Sequence, residues 1–229
     1  MTERRTALDD TARAEMREII ARYPEPRSAL LPMLHLVQAY EGYVTPAGIE
    51  MCADELGLTE AEVSAVATFY TMYKRHPMGD YHVGVCTNTL CAIMGGDVIW
   101  ATLSESLGIS HDETMPDGTV SLERVECNAA CDYAPVVMVN WEFMDNQTPQ
   151  SALELVEKLR SGEEVHSTRG PRICTWKEAA RITAGFPDGQ AHEGGPAGVA
   201  SLAGLTLANE QGWTAPEGGT PAIGTEGGR

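Results

Sequence analysis

Two closely spaced cysteine pairs carry the most informative chemistry in this sequence. Cys86-Thr-Asn-Thr-Leu-Cys91 places four residues between its thiols, and Cys127-Asn-Ala-Ala-Cys131 places three. The intervening residues are small and polar apart from one leucine, so backbone can fold around a metal at each pair. Two pairs from separate loops make four thiolates, which suit either a tetrahedral Zn²⁺ or an iron–sulfur cluster. Structural zinc favours C-x2-C knuckles, whereas a [2Fe–2S] rhomb offers one iron to each pair. The spacing alone leaves both open, together with a redox dithiol and plain packing. A thioredoxin-type dithiol needs C-x-x-C, which is absent. A Rieske arrangement needs two histidines in place of two of the cysteines, and none is placed for it.

Each pair adjoins an extended segment. Tyr81-His82-Val83-Gly84-Val85 alternates as a strand does and runs straight into Cys86. Val120, Leu122 and Val125 precede Cys127, and Asp132-Tyr133-Ala134-Pro135 is a turn signal before the β-branched run Val136–Val139. Residues 92–107 read as one helix ended by Gly108, and a last amphipathic helix fits Ser151–Leu159. The order β-α-β-β-α across residues 79–162 suggests a small α/β sandwich, which a thioredoxin-like arrangement would fit.

Residues 1–78 read as short helices with clear stop signals, so the whole chain is expected to be α+β. Asp9, Asp10 and Thr11 cap the first helix, which Pro24 and Pro26 end. Ser28 is expected to cap a second, closed at Gly42. Thr45-Pro46 opens a third that Gly57 closes, and Thr59 with Glu62 forms a capping box for a fourth running to Tyr73. Their apolar stripes exceed what four short helices bury among themselves, so this region is expected to be a helical docking domain. Residues 163–229 are expected to be an irregular extension that docks on partner subunits. From about Phe186 glycine and proline become frequent, and Leu202, Leu205, Leu207 and Trp213 stand out as anchors.

Composition narrows the function. The 229 residues hold 16 basic and 33 acidic side chains, a formal net charge of −17, and the isoelectric point is about 4.6. Nucleic acid and anionic membranes repel such a chain. The longest apolar runs, Ala134–Val139 among them, are far below the ~20 residues of a membrane span. No secretory or transit signal is visible, so a cytoplasmic location without a disulfide framework is expected. There is no G-x-G-x-x-G or Walker loop, which argues against this chain binding NADH or flavin itself. Cys52 and Cys174 read as packed thiols, and the six histidines are scattered.

The motifs together resemble one family. From about Tyr23 to Leu159 the chain is similar to the 24 kDa subunits of respiratory NADH:quinone oxidoreductase (complex I), most of all their actinobacterial form. The resemblance rests on the helical stretch Ala65–Tyr73, Cys86-x4-Cys91, Asp112-Glu-Thr-Met-Pro-Asp-Gly118, Val125-Glu-Cys-Asn-Ala-Ala-Cys131 and Ala134-Pro135. It implies a thioredoxin-like domain with one [2Fe–2S] cluster, Cys86 and Cys91 holding one iron and Cys127 and Cys131 the other. It implies FMN and NADH on an adjacent flavin subunit, a large iron–sulfur subunit as a further partner, and catalysis only as part of the assembly. The place it implies is the peripheral arm of a membrane-bound complex, on the cytoplasmic side of the inner membrane. The same module resembles subunits of NAD-linked formate dehydrogenases and hydrogenases. A zinc-stabilised interaction module, with the metal held by the same four cysteines, is the alternative of a different class.

One stretch departs from the family. Members commonly have Leu-Gly-Ala between the second cysteines, where this chain has Asn128-Ala129-Ala130. If the glycine serves a positive φ, Ala129 costs about 1 kcal/mol unless Asn128 takes the left-handed position. Glu126 and Asp132 flank the second pair and should disfavour an added electron.

Overall fold

The computed structural model describes residues 7–189 and 198–213. They fall into two units, one within residues 1–195 and the other within 196–229. The first unit opens with four helices: α1 (Asp10–Ile20), α2 (Leu30–Glu41), α3 (Pro46–Leu56) and α4 (Glu60–Phe69). Their caps follow the sequence in three cases. Asp9 accepts from the N–H groups of Thr11 and Ala12, Thr45 from Gly48, and Thr59 and Glu62 form the reciprocal box. The second helix differs. Ser28 does not cap it; a 3₁₀ turn over Pro26–Ala29 runs directly into α2. The fourth helix stops at Phe69, leaving Phe69 77% exposed while Tyr73 beyond it is buried.

The sheet has five strands: β1 (Tyr81–Cys86), β2 (Glu113–Thr114), β3 (Val120–Val125), β4 (Val137–Val139) and β5 (Glu142–Met144), in the order β2-β3-β1-β4-β5. β1 is parallel to β3 and antiparallel to β4. β4 falls in the β-branched run Val136–Val139, whereas β5 and the two-residue β2 have no clear sequence signal, since such short strands give too few alternations to read. Where one helix was expected over 92–107 there are two, α5 (Thr89–Ile93) and α6 (Gly96–Leu107), because Gly95 turns left-handed between them. After the sheet comes α7 (Pro149–Ser161). Val83, Val85, Leu122, Val137 and Val139 pack one sheet face on Ile99 and Leu103 of α6 and on Leu155, Val156 and Leu159 of α7.

The segment after α7 is more ordered than its composition suggests. Thr175 and Glu178 form a capping box for α8 (Trp176–Thr183), which packs on α2. The Trp176 indole N–H donates to the Gly42 carbonyl at 2.8 Å, and the Trp176 backbone N–H donates to Asp80 ahead of β1. This helix of the same chain covers part of the apolar surface that the four N-terminal helices leave. In the second unit, α9 (Val199–Glu210) has no buried residue, and Leu202, Leu205, Leu207 and Trp213 are exposed. The rest of the expected extension, residues 190–197 and 214–229, lies outside the described residues, as do residues 1–6 at the start of the chain.

Candidate metal centre

The parallel pairing of β1 and β3 sets Cys86 opposite Val125, so both strands leave the sheet at the same edge. The carboxyl ends of adjacent parallel strands are where α/β sheets present ligand-binding loops. Cys86 is the last residue of β1, and Cys91 sits in α5. Cys127 follows β3 by two residues, and Cys131 opens a 3₁₀ turn through Tyr133. All four line one cavity of about 250 Å³, completed by Asn88, Thr89, Leu90 and Ile93. A cavity of about 310 Å³ beside Met144, Lys158 and His166 is larger but contains no thiol.

The two pairs are seated differently. Cys86 and Cys91 are buried against Ala130, Val136 and Met138. Gly96, at the start of α6, lies against their backbone: a Cβ there would sit 2.5 Å from the Cys86 carbonyl oxygen and 2.9 Å from that of Cys91. Cys127 and Cys131 are exposed, with their sulfurs 3.4 Å apart. The Ala129 N–H donates to Cys127 Sγ at 3.4 Å. Ala129 itself takes the positive φ, +56°, at the position where the family resemblance leads one to expect glycine. Asn128 does not relieve it; its side chain donates to the Glu126 carbonyl at 2.9 Å.

In the metal-free chain, burial and the bond between the second pair of thiols favour protonated sulfur. Burial pushes the Cys86 thiol up to about 11, against a lowering hydrogen bond from the Asn88 N–H. The hydrogen bond with Cys127 raises Cys131. Bound metal ions draw out these protons and stabilise the thiolates. Among the described residues, no three His, Cys, Asp or Glu side chains converge as ligands of a single ion. A tetrahedral zinc needs four sulfurs about 2.3 Å from one point. A two-iron core needs only two thiolates at each iron, so two pairs facing one cavity fit it better than a lone ion.

The remaining thiols stand apart from this cavity. Cys52 is buried in the helical core, and burial pushes it up to about 12. Cys174 lines a separate cavity beside Arg172, Glu178 and Arg181. Three supporting features escape sequence reasoning. One is the packing glycine Gly96. Another is the bond from Asn88 Nδ2 to Glu126 Oε2, 3.0 Å long, between the two cysteine loops. The third is a buried junction in which Lys74 and His82 both bind Glu123, with His82 Nε2 at 2.6 Å. The junction's only sequence signal is the ionisable residue inside each apolar strand; what it contacts depends on the tertiary fold.

Residues 16–160 match the family described as thioredoxin-like [2Fe-2S] ferredoxin. The chain belongs to that family. As a family member it is a [2Fe–2S] protein, in keeping with the paired thiols. It is similar to an NADH-quinone oxidoreductase subunit of Mycobacterium tuberculosis, 61% identical over 211 residues that cover 91% of this chain and 84% of the relative. It is also similar to NADH-quinone oxidoreductase subunit 2 of Thermus thermophilus, 38% identical over 162 residues, covering 69% of this chain and 90% of that one. Among solved structures, an NAD⁺-reducing [NiFe]-hydrogenase chain matches with a TM-score of 0.49 and 18% identity, over 69% of this ferredoxin-family chain and 23% of that one.

Proposed function

We propose that this chain is the iron–sulfur electron-transfer subunit of the NADH-oxidising module of an NADH–quinone oxidoreductase. Cys86 and Cys91 would hold one iron and Cys127 and Cys131 the other. The observation that carries this reading is the meeting of two thiol pairs in one cavity at the shared edge of two parallel strands. When bound, a [2Fe–2S] cluster supplies one-electron chemistry. The two cysteine loops would hold it, with Val136 and Met138 packed against Cys86 and Cys91.

One-electron chemistry needs a donor outside this chain, and FMN on a flavin subunit fills that role in the reading. Leu90 and Ile93, which line the cavity, are exposed, as are Met94 and Val98 just after them in the chain, and apolar surface of this kind suits a partner that excludes water. The flavin subunit and the large iron–sulfur subunit are the proposed partners. No helix among the described residues is long and apolar enough to cross a membrane. The proposed place is the peripheral arm, on the cytoplasmic side of the inner membrane. Supporting the assignment is the similarity to subunits named for that oxidoreductase.

Iron, acid-labile sulfide and electron-spin measurements test the reading. The full chain should carry equal iron and sulfide and give an electron-spin signal after dithionite. Replacing Cys86, Cys91, Cys127 or Cys131 by Ser should lose or alter that signal, while Cys174→Ser should leave it unchanged. Zinc without sulfide in the wild-type chain would overturn the redox assignment.

A further inference from the structure

Glu126 is exposed, yet two side chains from the cysteine loops fix its position. Its carboxylate accepts from Asn88 Nδ2 at 3.0 Å, and its carbonyl accepts from Asn128 Nδ2 at 2.9 Å. Asn88 lies between Cys86 and Cys91, and its backbone N–H also donates to the Cys86 sulfur. Asn128 lies between Cys127 and Cys131. A carboxylate adjoining one ligand pair is therefore tied to the loop of the other. A freely moving surface carboxylate is screened by water, whereas one bonded to a residue that lines the cavity, as Glu126 is to Asn88, acts from a more fixed place on any charge added inside.

We propose that Asn88 and Glu126 form a clasp across the two ligand loops, which holds the pairs together and keeps a negative charge beside the cluster. Asn88 and Glu126 are positioning residues in this account, acting on the cluster through loop geometry and field. The clasp rests on the [2Fe–2S] reading above. It assigns to Asn88 a role that no cysteine spacing reveals.

Three single variants of the full chain separate field from scaffold. Glu126→Gln keeps an oxygen that accepts the Asn88 bond but removes the charge. At a fixed ambient potential its ratio of reduced to oxidised cluster should rise about threefold or more. Asn88→Ala leaves the charge untethered, so its potential should rise by less, and a chelator should strip its iron at least twofold faster. Asn88→Asp sets two carboxylates face to face and should lower the potential while also speeding iron loss. That reversal of sign between Ala and Asp is one that general loop damage would not produce. In Asn88→Ala/Glu126→Gln the potential should be no higher than in Glu126→Gln alone, because the tether has no charge left to hold.

Potentials are read by redox titration of the electron-spin signal, and circular dichroism verifies that each variant is folded. An unchanged potential in Glu126→Gln, equal signs for Asn88→Ala and Asn88→Asp, or additive shifts in the double variant would overturn the clasp while the wild-type cluster stands. Wild-type chain without acid-labile sulfide would remove the cluster reading, and the clasp with it.

Discussion

The two cysteine pairs face the same cavity but are held by different kinds of structure. Cys86 and Cys91, each 3% exposed, are part of the packed interior: one ends a strand, the other sits in a helix, and α6 rests on their backbone through Gly96. Cys127 and Cys131 are exposed on a loop that keeps a non-glycine residue in left-handed geometry. One seat is thus made by the fold, and the other by a short irregular loop that the fold only delivers to the right edge. Parallel register between β1 and β3 joins them. Three substitutions probe this contrast.

The largest effect is expected where both seats share support. Glu123 on β3 binds His82 on β1 and Lys74 ahead of it, tying the two strands a few residues before their loops. Burial acts to raise the Glu123 carboxyl, but the bonds from His82 and Lys74 outweigh it and hold the group at about 2, below its usual 4.5. Burial lowers His82, and its Nε2 donates to the Glu123 carboxylate at 2.6 Å. Lys74→Met would leave a buried carboxylate without its cation and should cost about 3–5 kcal/mol in denaturant unfolding of the cluster-free chain. The pH dependence follows from the sign of the shift. A depressed folded pKa gives stability that is present above about 4.5 and lost as pH falls towards about 2. Wild type should therefore weaken across that window, and Lys74→Met should weaken less there. Parallel pH profiles would show that the junction does not support the two strands electrostatically.

Gly96→Ala attacks the first seat alone. The added methyl meets two carbonyl oxygens of backbone that cannot rotate away, so α6 or the Cys86–Cys91 loop must move. Overpacking of this kind costs about 1–3 kcal/mol. Thermal melting of the cluster-free variant should show that loss, and the rate at which a chelator removes iron should rise with it. An unperturbed melting temperature would mean the first seat yields as readily as the second, and the contrast between them would fail.

How much of this was legible in the sequence follows from the range of each interaction. The caps at Asp9, Thr45 and Thr59 are local, so the residue types alone mark them. The four thiols are legible because spacing in a short loop limits where sulfurs can point. Ser28 misleads because the preceding Pro26 starts a 3₁₀ turn, which runs straight into α2 and leaves no open helix end to cap. Gly95 looks like an ordinary helical interruption until its left-handed φ of +115° separates α5 from α6. The α8 helix does have a capping box at Thr175 and Glu178, a signal hidden by the glycine- and proline-rich stretch that follows. Lys74, Gly96 and the Asn88–Glu126 bond depend on partners dozens of residues away or on backbone proximity, and neither periodicity nor motif spacing encodes those.

The smallest effect is expected at Ala129, and its sign is what matters. A left-handed alanine costs about 1–2 kcal/mol relative to an unstrained one, whereas glycine takes that geometry freely. Glycine also gains freedom in the unfolded chain, which offsets part of the relief by about 0.4–1 kcal/mol. Ala129→Gly should therefore stabilise the cluster-free chain by roughly 0.5 kcal/mol, the reverse of Gly96→Ala. The Ala129 N–H that donates to Cys127 Sγ is kept in the variant, so iron retention should hold or improve. A clear loss of melting temperature in Ala129→Gly would mean that the methyl group contributes packing worth more than the strain at +56°. The second seat would then be built by the interior as well, and the two halves of the centre would be alike.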